Sequence, residues 1–194
     1  NVIASLGPIC DDDGLGFSHK RVTISTSGLV PQIDKLGERA PVNLAISMNA
    51  SHDAQRDVLM PINKKYPIAE LVAALERYPL PARRKMTIEY VLLGGTNDDA
   101  SDAHKLAKAL RRLKHRIRIN LLPWNPFAGP GFERPEDGKV RAFQNILKSK
   151  GFTVTIRITR GLDIDAACGQ LVGEVEARNQ RRLVKIRERA PGAR

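Results

Sequence analysis

An apolar run that stops abruptly at small polar residues, and then gives way to an amphipathic stretch, recurs along this sequence and limits the folds open to it. The runs are Arg21–Gly28 (RVTISTSG), Val42–Ser51 (VNLAISMNAS), Met86–Asp98 (MTIEYVLLGGTND) and Ile117–Pro126 (IRINLLPWNP). Helical periodicity fills the intervals over Pro31–Glu38, His52–Leu59, Ile68–Tyr78 and Asp99–Leu113. Strand and helix in alternation predict a parallel sheet with helices packed outside it, as an open doubly wound sheet or a barrel. A barrel-like α/β arrangement is favoured. Four such strands do not close a barrel, which needs about six even when partial, so strands are expected upstream of Asn1. Beyond them come a Gly/Pro-rich loop (Phe127–Pro135), a helix near Glu136–Lys150, a strand-like alternation at Phe152–Thr159 and a helix over Asp165–Arg189.

In parallel βα folds ligands gather at the carboxyl ends of the strands. Here those ends carry Ser25, Thr26, Ser27, Ser47, Asn49, Asn97 and Asn125. Each alone is an ordinary turn or cap residue. Four strand ends that are all polar and uncharged point to a lined pocket.

Thirty-two Lys and Arg against 21 Asp and Glu give a net charge of +11, a balance that points to a polyanionic partner, nucleic acid first. The excess is clustered at Arg83–Lys85, at Arg111–Arg118 (RRLKHRIR) and at Arg178–Arg189 (RNQRRLVKIRER). One such run is equally a solvated helix face; three on one chain favour phosphate. No stretch is apolar and long enough for a membrane span, and nothing near Asn1 reads as a secretion signal, so a cytoplasmic protein is expected.

The chemistry-bearing residues are few. The two cysteines, Cys10 and Cys168, cannot build a disulfide scaffold or a four-ligand metal site, so no metal ligands are assigned. Phosphate-loop, HExxH, GxSxG and GxGxxG signatures are absent, and His19, His52, His104 and His115 lack ligand spacing. Cys168, in GLDIDAACGQL, is either buried among alanines or, in the first turn of a helix, a reactive thiolate. Trp124 either stacks on a base or walls the mouth of the barrel.

Taken together these stretches resemble the RlmN family of dual-specificity 23S ribosomal and transfer RNA adenine C2-methyltransferases. The resemblance rests on STSG at Ser25–Gly28, AIS at Ala45–Ser47, PINKKY at Pro61–Tyr66, TIEYVLL at Thr87–Leu93, INLLPWNPF at Ile119–Phe127 and TRGLDIDAACGQL at Thr159–Leu171, and it runs in order from Val2 to about Val184. It implies a partial (β/α)6 TIM-like barrel of the radical S-adenosylmethionine (SAM) type, here without its first strands. Residues 1–160 then belong to the barrel, 161–190 form a segment holding the catalytic cysteine and a basic helix, and 191–194 are a tail.

The resemblance further implies that Ser25, Ser47, Met48, Asn49 and Asn125 contact S-adenosylmethionine, with Asn49 standing where many members carry His. Cys168 matches the cysteine that is methylated first. Carbon 2 of adenine is electrophilic and does not accept a methyl cation, so a radical route is implied: a second S-adenosylmethionine yields a 5′-deoxyadenosyl radical at a [4Fe-4S] cluster, hydrogen is taken from the methyl on Cys168, and the carbon radical adds to adenine. A second cysteine then attacks the sulfur of Cys168 and releases the product as a disulfide forms. The CxxxCxxC cluster motif, the resolving cysteine and the family's base are expected upstream, so this chain alone is expected to hold no cluster and show no activity. The implied partners are 23S rRNA, tRNA and an electron donor for the cluster, with a monomer expected.

Three other readings stay open. A related antibiotic-resistance methyltransferase modifies carbon 8 of the same adenine, although Trp124 in PWNP fits the C2 family better. A catalytically dead RNA-binding module would use the basic clusters alone. A metabolic barrel enzyme with an anionic substrate would use Lys64, Lys65 and Arg160 as clamps.

Overall fold

The computed structural model describes residues 2–81, 83–126 and 131–157. The chain divides into two compact units, residues 1–124 with 132–158, and residues 125–131 with 159–194. The expected helix at Asp165–Arg189, Arg160 and Cys168 lie outside the described residues.

The first unit is built on five parallel strands: β1 (Thr23–Thr26), β2 (Asn43–Ser47), β3 (Met86–Leu92), β4 (Ile117–Pro123) and β5 (Thr153–Ile156). Their spatial order is their chain order, β1-β2-β3-β4-β5. A right-handed crossover from each strand to the next then always steps the same way, which lays every connecting helix on one face. A doubly wound sheet would reverse direction and cover both faces; this one is wound as a barrel is.

The helices are α1 (Val2–Cys10), α2 (Val30–Arg39), α3 (Asp53–Leu59), α4 (Ile68–Arg77), α5 (Ala100–Ala109) and α6 (Asp137–Ser149), with 3-10 turns at Pro61–Lys64 and Arg111–Leu113. Apolar spacing explains which side each one buries. In α4, Ile68, Leu71, Val72 and Leu75 fall on one stripe and are buried, as Val140, Phe143 and Leu147 are in α6. They meet the alternate residues of the strands: Leu44 and Ile46, then Met86, Ile88, Tyr90 and Leu92, then Ile117, Ile119 and Leu121. Each fully buried Leu or Ile contributes about 1.5–3 kcal/mol. Tyr90 packs its ring on Phe143 with centroids 5.3 Å apart. Helix α1, with Gly7 and Pro8 inside it, is an element whose composition hid it from sequence periodicity.

Most of the opposite face is polar. Register places Ser25, Ala45, Thr87, Arg118 and Thr153 in one row across the sheet, and Ser47, Glu89, Asn120 and Thr155 in the next. Parallel sheets are ordinarily apolar on both faces. A polar second face is what the inner wall of a barrel that holds a ligand presents.

Candidate functional site

The site is built at the carboxyl ends of β1, β2 and β3, and a buried arginine organises it. Arg56, on α3, is wholly inaccessible to solvent. Its Nη2 donates to the carbonyl of Ser27 at 2.7 Å and to that of Ser47 at 3.3 Å, and its Nε donates to the carbonyl of Met48 at 3.2 Å. One guanidinium therefore ties the tip of β1 to the tip of β2. Its Nη1 donates to Asn63 Oδ1 at 3.2 Å, and Asn63 Nδ2 in turn donates to carboxylate oxygens of Asp53 and Asp57 at 3.0 and 2.7 Å. Burial lowers the Arg56 pKa from its usual value, and the charges of Asp53 and Asp57 oppose that shift. Gly28 is needed for the approach: its φ is 105°, and a Cβ there would stand 3.2 Å from Arg56 Nη2.

Two asparagines close the next junction. Asn49 adopts a left-handed backbone at φ 54°, which ends β2 earlier than the apolar run of Val42–Ser51 suggests. Its Oδ1 accepts from the backbone N–H of Val91 at 3.0 Å. Asn97 is fully buried, and its Nδ2 donates to the carbonyls of Val91 and Asn49 at 2.8 and 2.9 Å while its Oδ1 accepts from Leu93 N at 2.7 Å. Side chains thus replace ladder bonds where β2 and β3 diverge. The Tyr90 hydroxyl donates to the Asn97 carbonyl at 3.0 Å, and burial, then Asp102 and Asp98, push its pKa up. Below this junction the Ser51 hydroxyl donates to Asp102 Oδ1 at 2.6 Å, joining the loop after β2 to α5.

The residues singled out in the sequence separate by role. Ser25 and Ser47 put hydroxyls on the open face of adjacent strands, about 8 Å apart from strand spacing and rise. Thr26 instead uses its Oγ1 to accept from Gly28 N at 3.1 Å. Met48 has its side chain in the core, and both its backbone polar groups are bonded within the fold, the N–H to Glu89 O at 2.8 Å. Asn49 is half-buried and bonded as above. Trp124 donates its backbone N–H to Leu92 O at 2.9 Å and meets Phe132 edge-on, centroids 6.0 Å apart. Asn125 belongs to the second unit, two residues past the end of β4. Among the described residues no group of three His, Cys, Asp or Glu could hold a metal, and no helix is long and apolar enough to cross a membrane.

Sequence reasoning missed Arg56, Asn63 and the Ser51–Asp102 pair. Arg56 stands in DAQRDVL between acidic neighbours, the pattern of a solvated helix surface. The one available signal was the pair of acids around it, and that fits either reading.

A parallel sheet wound in one direction, with hydroxyls and amides at its strand tips, is the architecture of a partial barrel, and a solved radical SAM methyltransferase shares it. A crystal structure of such an enzyme from Sphaerobacter thermophilus superimposes with a TM-score of 0.77 at 44% identity, over 84% of this chain and 47% of that one. A domain of a pyruvate-formate lyase-activating enzyme from Bacteroides vulgatus shares the fold alone, with a TM-score of 0.55 at 19% identity over 70% of this chain and 80% of that one. No family model matches the chain. Curated sequences do: the dual-specificity RNA methyltransferase RlmN of Marinomonas sp. is 51% identical over 181 residues, covering 91% of this chain and 48% of that protein. That of Geobacter sulfurreducens is 50% identical over 177 residues, covering 91% and 49%. The chain belongs to the RlmN family, and it spans about half the length of these relatives.

Proposed function

We propose that this chain is the part of a radical SAM enzyme that binds S-adenosylmethionine and carries the methyl group, and that the enzyme methylates carbon 2 of an adenine in 23S rRNA and tRNA. The observation that carries the reading is the roughly 50% identity to RlmN proteins over 91% of the chain, the strands and their tips included. The donor set fits the cofactor. Ser25 and Ser47 offer hydroxyls suited to a ribose and an amino-acid end, and Glu89, the register partner of Ser47 on β3, carries a carboxylate of the sign that suits a sulfonium. When bound, S-adenosylmethionine supplies the methyl group and the radical precursor.

This chain's own residues then do three things. Arg56, Asn49 and Asn97 hold the strand tips in register, so that the hydroxyls are placed before the ligand arrives. Asn125 adds a side-chain amide donor and acceptor to the ligand set. Cys168 accepts a methyl on sulfur and presents it to adenine. These residues do not supply the ligands of a [4Fe-4S] cluster: Cys10 and Cys168 are the sole cysteines of this sequence, too few to hold one.

The test is mass analysis of the protein for a methyl group on Cys168, followed by measurement of 2-methyladenosine in ribosomal RNA of cells carrying Cys168→Ala. The reading expects the methylated peptide and loss of the modified base. An unmethylated Cys168 with 2-methyladenosine intact in the variant overturns it, and 8-methyladenosine in place of the C2 product would assign the enzyme to the C8 chemistry.

A further inference from the structure

We propose that a basic cleft at the opposite end of the sheet from the strand tips is a second grip on the RNA, taking its phosphodiester backbone. It rests on the reading of the protein as an RNA methyltransferase. The cleft, about 390 Å³, is lined by Lys108, Arg111, Lys114 and Lys150 together with His104, over the buried ring of Phe152. Three separate elements deliver these cations: the last turn of α5, the 3-10 turn after it, and the cap of α6 leading into β5. Chain direction fixes the location. Helix α5 leaves the tip of β3 and runs back to the start of β4, so its last turn lies at the amino ends of β4 and β5, about 20 Å below the tips for a strand of seven residues.

A purely structural account of these charges is available and falls short. Helices α5 and α6 both end here, and each terminus carries about half a negative charge that a cation stabilises. Four basic side chains exceed that requirement about fourfold. Among the described residues no carboxylate lines the cleft. The neighbouring Arg112 is different, since Glu76 holds it at 2.8 Å. Lys114 is drawn across Gly151, whose φ is 85° and whose missing side chain leaves the ammonium room, 3.2 Å from where a Cβ would stand. Concentrated like charge of this kind is unfavourable to folding by itself and becomes favourable against a polyanion, where each neutralised phosphate releases counterions. A grip this far from the reacting base supplies affinity and register without reading sequence.

The experiment measures binding of a fluorescent RNA stem-loop from 50 to 200 mM KCl. The protein is compared with a variant carrying Lys108→Gln, Arg111→Gln and Lys150→Gln, all three positions being exposed. A control carries Lys20→Gln, Lys35→Gln and Arg39→Gln, exposed positions outside the cleft, and has the same net charge. The cleft variant should lose about 10-fold or more in affinity at low salt, and its log–log salt slope should fall by about 2, at 0.7–0.9 per phosphate contact. The control should change by less than about threefold, and all three proteins should share one unfolding midpoint. Equal loss in both variants, or loss in neither, overturns the cleft and leaves the methyltransferase reading intact. Failure of the unaltered protein to bind RNA at 50 mM also overturns the cleft, whereas the methyltransferase reading stands or falls on methylation of Cys168.

Discussion

The guanidinium of Arg56 donates to the carbonyl oxygen of Ser27 at 2.7 Å across 29 residues of sequence, and the same Nη2 reaches Ser47 on the next strand at 3.3 Å. A buried cation thus does at the strand tips what backbone ladder bonds do lower in the sheet. Its charge spreads over carbonyl dipoles and, through Asn63, over two carboxylates.

Replacing Arg56 with Met keeps the volume and removes every one of these bonds. Carbonyls at the ends of β1 and β2 lose their donor, as does Asn63 Oδ1, and the Asp53 and Asp57 carboxylates, still held by Asn63 Nδ2, lose the nearby positive charge. The expected loss is about 3 kcal/mol, read as a fall in the urea midpoint. Arg56→Lys should recover less than half of it, because a point charge cannot reach three carbonyls on two strands. In both variants the dissociation constant for S-adenosylmethionine should rise by more than tenfold under conditions where the protein is still fully folded.

Asn97→Ala leaves the N–H of Leu93 and the carbonyls of Val91 and Asn49 buried and unpaired. At about 1–3 kcal/mol for a stranded group, partly relieved by relaxation, the variant should lose about 2–4 kcal/mol in chemical denaturation. An Asn97→Asp variant should be destabilised too, since its carboxylate can accept from Leu93 but cannot donate to the two carbonyls.

Asn49 separates two costs. Asn49→Gly keeps the left-handed backbone and gives up the acceptor for Val91 N; Asn49→Ala gives up both. The alanine variant should be less stable than the glycine variant by about 1 kcal/mol, measured as a difference in unfolding free energy between the two.

Tyr78 reports on alkaline stability. It is buried, its hydroxyl donates to the Val42 carbonyl at 2.8 Å, and burial pushes its pKa from 10.0 up to about 12. The folded state therefore favours the neutral phenol, so this stabilisation is complete below pH 10 and is lost as pH rises from 10 to about 12. The loss amounts to about 2–3 kcal/mol. Tyr78→Phe should be less stable than the parent at pH 8 by about 1 kcal/mol and should show a shallower decline above pH 10 in an alkaline titration followed by circular dichroism.

Much of the architecture was legible in the sequence. Each strand begins and ends near its apolar run, because side-chain periodicity is a local property that burial on one face enforces. The exceptions mark the site. The runs at Val42–Ser51 and Met86–Asp98 overshoot their strands, which stop at Ser47 and Leu92, because Asn49 turns left-handed and Asn97 takes the amide of Leu93. Polar strand tips were visible as residue types, and the likeness to RlmN proteins was visible in PWNPF and its neighbouring motifs.

The amino-acid order by itself determined the alternation of strand and helix, the polar tips and the family, since each is written in short segments. Tertiary structure alone decided that the sheet winds in one direction, that Arg56 is a buried clamp and not a surface charge, and that Lys108, Arg111, Lys114 and Lys150 share one cleft. These depend on which distant segments meet. No local pattern encodes that, because the energy of a buried charge or a crowded one is set by whatever the fold brings beside it.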